Sequence, residues 1–249
     1  MFPILFKFGF IQIYSYGFMV AMAFLVSTLL LSRYAISLNL DKDFFWNLSF
    51  GILLGGILGG RLMYSALNLE FFIDNPREIF MLWHGGLVWY GGFLGGLATA
   101  GIYLKSKKAP LLKTLDIILP FVALGHAIGR IGCFLNGCCY GRAVWWGLYY
   151  PAHNDALIPT QLFSSLSLVA VFIVLRLLQE RPHRTGFIVV MYLLCASGER
   201  FIEEFLRNDS PRDFYGLTLF QVMSIVIFLS ALMLWCMILW LEKKPRVNG

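Results

Sequence analysis

The chain has 249 residues, of which 59% are hydrophobic and 14% are charged, and its mean hydropathy is +0.72. Soluble domains carry about 25% charged residues, so this composition excludes an ordinary soluble domain and indicates an integral membrane protein. The net charge of +6 is then explained by membrane topology, because membrane proteins concentrate lysine and arginine on the cytoplasmic side. It does not indicate nucleic-acid binding, because no basic stripe lies on a soluble domain. Residues 1–17 lack the basic, apolar and small-residue regions of a cleaved signal peptide, so none is expected.

Seven apolar segments are long enough to cross a membrane as helices, each of which needs about 20 residues. They lie near 13–33, 46–68, 86–104, 114–132, 160–178, 186–206 and 218–241. We therefore predict an all-α fold, a polytopic membrane protein with about seven transmembrane helices in a single domain over 1–249. The longest loop, about 133–158, is predicted to be external, and its tryptophans and tyrosines suit a membrane interface.

Lysine and arginine predict the orientation of these helices, because membrane proteins keep most of them on the cytoplasmic side. With the N-terminus outside, twelve fall in cytoplasmic segments, five in external ones and three within spans. The twelve are Arg33, Lys42, Lys105, Lys107, Lys108, Lys113, Arg176, Arg181, Arg184, Lys243, Lys244 and Arg246; the five are Lys7, Arg77, Arg142, Arg207 and Arg212. We therefore predict an N-terminus outside and a C-terminus inside.

Glycines recur at helical spacing in the second and third spans. They are Gly51, Gly55 and Gly59 in the second, and Gly91, Gly92, Gly95 and Gly96 in the third. Small residues four apart let two helix backbones approach closely, so tight packing is favoured over direct contact with a ligand.

Three arginines, Arg61, Arg130 and Arg200, lie in or at the ends of apolar spans. A cation at membrane depth costs a few kcal/mol and marks a candidate functional site. Each alone could extend to the lipid headgroups, but all three fall in the outer half of the predicted topology, which favours a shared polar cavity. Guanidinium groups match phosphate oxygens, so an anionic lipid headgroup is the expected ligand.

The segment SGERFIEEFLRND places four charges on one face of a helix, namely Arg200, Glu203, Glu204 and Arg207. Arg200–Glu204 and Glu203–Arg207 ion pairs are one interpretation. Such pairs contribute only about 0.3–0.5 kcal/mol on an exposed helix, too little to account for charge inside a span. In a cavity, a carboxylate could instead orient an arginine or accept a proton.

The stretch GRIGCFLNGCCYGR (129–142) carries three of the five cysteines, Cys133, Cys138 and Cys139. No second ligand pair or histidine follows at zinc-finger spacing, so the pattern gives little support for a metal site. No base is visible beside them, as a catalytic thiol requires. Filling of small apolar space is favoured, and an external disulfide remains open.

Six segments follow one another along the chain: YGFMV around Tyr16, GGRLMY (59–64), GGLVWYGGFLGG (85–96), GRIGCFLNGCCYGR (129–142), PTQL (159–162) and RFIEEFLR (200–207). Taken in this order, they resemble the phosphatidylglycerol–prolipoprotein diacylglyceryl transferases of the bacterial inner membrane. The resemblance covers most of the chain. It implies transfer of the diacylglyceryl group of phosphatidylglycerol to the lipobox cysteine of a preprolipoprotein, with glycerol phosphate released. The implied partners are phosphatidylglycerol, the preprolipoprotein signal peptide and membrane lipids, and no cofactor or nucleic acid is expected.

The resemblance also implies the site residues. Arg130 and Arg200 correspond to the arginines that hold the phosphate. With Tyr90 and Glu204 they make up the implied catalytic set. The implied substrate-binding set is Tyr16, Arg61, Asn136, Arg207, Gly91 and Gly92.

Four positions depart from the family pattern. Cys133 replaces an asparagine, Cys138 replaces a glutamate, and Tyr90 replaces a histidine proposed as catalytic base. Ala196 lies where many members keep a tyrosine, one turn before Arg200. A tyrosine is a poor base at neutral pH unless a cation lowers its pKa. The base is therefore Tyr90 activated by an arginine, or Glu204, or no fixed residue.

Two rival functions follow from these observations. The departures allow a diverged lipid transferase with another thiol or hydroxyl acceptor. The arginines alone would also suit an anion transporter, but the sequence lacks the duplicated halves with broken helices that would favour one.

Overall fold

The computed structural model describes residues 2–8, 11–81, 85–207 and 215–243. His84, Arg212, Lys244 and Arg246 lie outside them. The helices are α1 (Ser15–Ser37), α2 (Lys42–Leu67), α3 (Leu69–Asp74), α4 (Trp89–Ser106), α5 (Leu111–Asn136), α6 (Thr160–Gln179), α7 (Phe187–Leu206) and α8 (Leu219–Lys243), with a 3₁₀ turn over Pro76–Phe80. The strands are β1 (Ile4–Phe8), β2 (Ile11–Tyr14), β3 (Ala143–Tyr150) and β4 (Asp155–Leu157).

Each of the seven predicted spans corresponds to a long helix. Within the part of the chain that the structure describes, five helices are long and apolar enough to cross a membrane, namely α1, α2, α5, α6 and α8. Of the other two, α4 is the shortest of the seven at 18 residues, and α7 carries Glu199, Arg200, Glu203 and Glu204. The protein is therefore a mostly helical, polytopic membrane protein.

One compact unit spans residues 32–111, where α2 and α4 pack backbone against backbone. A Cβ added to Gly59 would lie 2.3 Å from the carbonyl oxygen of Gly91, and one on Gly95 would lie 2.2 Å from that of Gly55. No side chain fits at those separations. The predicted packing role of the glycines is confirmed.

The second unit spans residues 1–31 and 112–249. In it, α7 packs against α6 and α8. The Ser165 hydroxyl on α6 donates to the Ala127 carbonyl of α5 at 2.9 Å. The Asp116 carboxylate accepts from the backbone N–H groups of Gly186 (2.5 Å) and Val189 (3.0 Å). A negative charge beside unsatisfied N–H groups stabilises a helix N-terminus, so this aspartate anchors the start of α7 to α5.

The predicted loop 133–158 contains structure that the sequence analysis did not predict. After α5 ends, β3 and β4 form an antiparallel hairpin, and a second hairpin, β1–β2, precedes α1. The β3 sequence AVWWGLYY is rich in aromatic residues, which favour strands as well as membrane interfaces. Trp145 is 94% exposed. Two short hairpins thus accompany the predicted helices.

Candidate functional site

Arg130 of α5 and Arg200 of α7 converge on one carboxylate oxygen. The Oε2 atom of Glu203 accepts from Arg130 Nη2 at 2.9 Å and from Arg200 Nη1 at 3.1 Å. Arg130 and Glu203 are buried. Two residues 70 positions apart in the sequence are therefore held together by a third, which lies one helical turn after Arg200.

Glu204 completes what we term the arginine–glutamate cluster (Arg130, Arg200, Glu203 and Glu204). It is 1% exposed, and its Oε2 lies 2.7 Å from Arg200 Nη2. The predicted Arg200–Glu204 pair is confirmed. Glu203, in contrast, reaches across to α5. Removing one partner of a buried ion pair costs about 3–5 kcal/mol, because a charge is left uncompensated.

The cluster does not use its full hydrogen-bonding capacity. Among the described residues, the buried Arg130 Nε and the outer oxygens Oε1 of Glu203 and Glu204 have no hydrogen-bond partner. A guanidinium carries five N–H donors, and buried polar groups are normally satisfied. The arrangement therefore has donors to spare for a polar ligand.

An apolar groove of 260 Å³ lies beside the cluster, between α7 and α8. The Arg200 guanidinium lies 4.6 Å from the ring centre of Phe220, and Phe201, next in sequence, lines the groove. The other lining residues are Ser197, Gly198, Ile202, Ser224, Ile225, Phe228 and Leu229. A charged group and an apolar groove are thus adjacent, as the two parts of a lipid require.

Tyr16 and Asn136 lie near the signature helix α5. Tyr16 is 46% exposed and packs on Gly132, where an added Cβ would lie 3.4 Å from its ring. Its hydroxyl is within electrostatic range of Arg130. Asn136 ends α5 two residues before Cys138, whose thiol donates to the Cys133 carbonyl at 3.7 Å. The structure therefore brings Tyr16 into the neighbourhood of Arg130, and Asn136 into that of the cysteines.

Both ends of the signature stretch 129–142 are attached to α7. Arg130 binds Glu203 at one end, and at the other Arg142 N–H donates to the Leu206 carbonyl at 2.9 Å. Gly141 forms a β-bridge with Arg207, and a Cβ on it would lie 2.7 Å from the Leu206 oxygen. The predicted substrate-binding residue Arg207 therefore lies at the junction of α7 with this stretch.

Arg61 belongs to the unit 32–111, and its five N–H groups all meet backbone carbonyls. Nε donates to Ile79 at 3.0 Å, Nη1 to Gly85 and Gly86, and Nη2 to Glu78 and Met81. The side chain is 5% exposed and lies over aromatic rings. Its contacts organise the segment before α4, and they leave no donor of Arg61 for a phosphate.

Tyr90, Gly91 and Gly92 begin α4 in the same unit. Tyr90 is 46% exposed. Gly91 is buried against Gly59, and a Cβ on Gly92 would lie 3.3 Å from the Gly56 oxygen. These two glycines pack α4 on α2, which is the favoured sequence interpretation.

Sequence reasoning gave no role to two residues near the cluster. Glu199 accepts from the hydroxyls of Ser164 (2.6 Å) and Ser167 (3.3 Å) and is within electrostatic range of Arg130. His126 lies within electrostatic range of both arginines. Helical spacing could have indicated both residues, because His126 lies four residues before Arg130 and Glu199 lies four residues before Glu203.

The fold and the site define a class: a polytopic helical membrane protein in which charged residues of two helices meet beside an apolar groove. The chain belongs to the prolipoprotein diacylglyceryl transferase family, whose sequence profile matches residues 3–237. It is 34% identical over 230 residues to the phosphatidylglycerol–prolipoprotein diacylglyceryl transferase of Clostridium tetani, covering 90% of this chain and 92% of the relative. It is also 34% identical over 247 residues to the protein of that name from Legionella pneumophila (strain Corby), covering 94% and 95%. The family resemblance predicted from six segments is confirmed.

Proposed function

We propose that this chain transfers the diacylglyceryl group of phosphatidylglycerol to the lipobox cysteine of preprolipoproteins. Family membership and the names of the relatives support this reaction. The observation that carries the assignment of the site is the convergence of Arg130 and Arg200 on Glu203.

The reaction exchanges one bond for another at a single glycerol carbon. The sulfur of the lipobox cysteine forms a C–S bond with that carbon, and the C–O bond to the phosphate breaks. Glycerol phosphate leaves with the electron pair, and the thiol proton passes to a base. Negative charge therefore develops on the phosphate in the transition state, where preorganised cations are most effective.

Arg130 and Arg200 suit this task because the carboxylates hold them without using every donor. Arg130 has an unused, buried Nε–H, and Glu203 fixes both guanidinium groups relative to each other. We assign Glu203 and Glu204 as positioning residues. Glu204 is fully covered and lies against Arg200, so orienting this arginine is a better assignment for it than the role of base.

The groove between α7 and α8 is proposed to hold one acyl chain of phosphatidylglycerol. Its lining is apolar, and its α7 residues lie on both sides of Arg200 in the sequence, from Ser197 to Ile202. A lipid with its phosphate on Arg200 would place the adjoining hydrocarbon there.

The remaining assignments rest on the resemblance and on the charge distribution. Tyr90 as catalytic residue stays a prediction. So does the substrate-binding set Tyr16, Arg61, Asn136, Arg207, Gly91 and Gly92. So do the single domain, the seven spans, the external loop and the orientation with the N-terminus outside, which the lysines and arginines support. That orientation places the Arg130 end of α5 in the outer half of a bacterial inner membrane.

Incubation of the purified full-length protein with phosphatidylglycerol and a lipobox peptide tests the function. We expect a peptide mass increase of one diacylglyceryl group and an equal amount of released glycerol phosphate. A control peptide with serine in place of the lipobox cysteine should stay unmodified. Release without peptide modification would instead indicate another acceptor, and the absence of both products would contradict the proposal.

A further inference from the structure

Three cysteine sulfurs meet at the C-terminal end of α5. The Sγ atoms of Cys133, Cys138 and Cys139 all lie within 4.8 Å of one another. All three are free thiols, and all are partly buried. We term this group the thiol cluster.

The way α5 ends brings the first two thiols together. The Cys138 N–H donates to the Cys133 carbonyl at 3.2 Å, the Gly137 N–H donates to the Phe134 carbonyl at 3.1 Å, and Gly137 has a φ of +79°. This is the geometry of a Schellman motif, in which the residue that donates the outer hydrogen bond folds back onto the helical residue that accepts it, five positions earlier. Cys138 and Cys133 are those two residues. They are also two of the departures from the family signature, which therefore form one pair in space.

The third thiol is held in place by α6. Cys139 has a φ of +63°, a conformation that residues with side chains adopt at a cost. It persists because the Thr160 hydroxyl donates to its carbonyl at 2.6 Å and the Gln161 amide donates to that of Cys138. Both α6 side chains are fully buried. The backbone of the thiol cluster is thus fixed by groups that water does not reach.

We propose that Cys133, Cys138 and Cys139 form a binding site for a thiophilic metal cation such as Zn²⁺. Zn–S bonds of about 2.3 Å in a tetrahedron separate the sulfurs by about 3.8 Å. The sulfurs already lie within 4.8 Å of one another, so small side-chain rotations suffice. The C-terminal end of a helix carries partial negative charge, which favours a cation over a further anion. Binding converts three thiols to thiolates, releases three protons to water and leaves the fourth tetrahedral position to a water molecule.

This site does not rest on the proposed transferase function, since the three sulfurs lie within 4.8 Å of one another whatever lipid the protein binds. A bound ion would link the end of α5 to the chain that follows it. Cys195 of α7 and Cys236 of α8 lie outside the cluster and supply matched controls.

The test measures zinc on the full-length protein in detergent. The reduced protein is incubated with Zn²⁺ and desalted, metal is quantified by mass spectrometry, and free thiols are counted with a maleimide. We expect about one zinc per chain and protection of three thiols in the wild type. The Cys195→Ser/Cys236→Ser variant should match it, and the variant with serine at all three cluster positions should lose the ion.

A second probe guards against a variant that fails to fold. Cd²⁺ gives an ultraviolet thiolate charge-transfer band whose intensity counts bound sulfurs. The wild type and the Cys195→Ser/Cys236→Ser variant should each show three. Zinc well below one per chain in the wild type, or zinc retained without the three cysteines, would overturn the proposal. A disulfide between two of them in protein alkylated inside cells would also overturn it.

Discussion

Replacing Glu203 by glutamine should weaken the packing of α5 on α7 and the activity together. The Glu203→Gln variant keeps the size of the side chain and removes its charge. In the native protein, one carboxylate oxygen accepts from Arg130 Nη2 at 2.9 Å and from Arg200 Nη1 at 3.1 Å. The glutamine oxygen can still accept hydrogen bonds from the two guanidinium groups, but the buried Arg130 charge loses the carboxylate that compensates it. We therefore expect a loss of about 3 kcal/mol in the free energy of unfolding, the lower end of the range for breaking a buried ion pair.

The assay compares this variant with Glu180→Gln, which removes a carboxylate from a second Arg–Glu pair. There Arg176 Nη2 lies 3.3 Å from Glu180, whose side chain is 63% exposed. An exposed pair of this kind contributes less than about 0.5 kcal/mol. Unfolding in mixed detergent micelles gives the two stabilities, and initial rates of glycerol phosphate release give the two activities.

The activity of Glu203→Gln should fall by about tenfold or more, as is usual when the partner that orients a functional group is lost. Glu180→Gln should keep the wild-type rate. Equal stabilities and equal rates for the two variants would refute the idea that Glu203 holds the arginines in place.

Three further substitutions test other parts of the structure. Gly198→Leu should raise the KM for phosphatidylglycerol by about tenfold by filling the groove, with Gly101→Leu as control, since an added Cβ meets nothing within 4 Å at either position. Gly141→Ala should lower the free energy of unfolding by about 1–3 kcal/mol, because the added Cβ would lie 2.7 Å from atoms of Ile158 and Leu206. Gly129→Ala is the control. Its Cβ would meet nothing within 4 Å on α5, so this variant should not destabilise the protein. Arg61→Lys should lower the free energy of unfolding by about 3 kcal/mol or more. In the native protein five Arg61 N–H groups donate to backbone carbonyls, and a lysine ammonium has only three donors. An unchanged free energy of unfolding would show that these contacts contribute nothing to stability.

The helices and their glycine packing could be predicted from sequence because both depend on the spacing of residues that are close together in the chain. Apolar length defines a span, and glycines four apart define a close contact, as Gly59 and Gly91 show. The Arg200–Glu204 pair is also local, since the two residues are one helical turn apart.

The contacts that define the site are not local, and the sequence predicted only that Arg130 and Arg200 would share a polar cavity. The sequence pattern paired Glu203 with Arg207, whereas in the structure Glu203 lies between Arg200 and Arg130 of α5. The thiol cluster depends on one left-handed residue, Gly137, which reverses the chain after the helix. In the sequence, Cys133 and Cys138 are five residues apart in a predicted loop, and that spacing does not show that their sulfurs lie close together. The donors of Arg61 bind backbone carbonyls, and carbonyls carry no sequence signature.

The rate of diacylglyceryl transfer in Arg130→Gln and Arg200→Gln proteins tests the central claim most directly. Glutamine is uncharged, and Arg181→Gln, in the exposed turn after α6, serves as the matched control. Loss of one donor that stabilises charge in a transition state costs about 100-fold or more, so each cluster variant should fall by that factor while remaining folded. The control should keep the wild-type rate. Normal transfer by either cluster variant would contradict the assignment of these arginines to the phosphate.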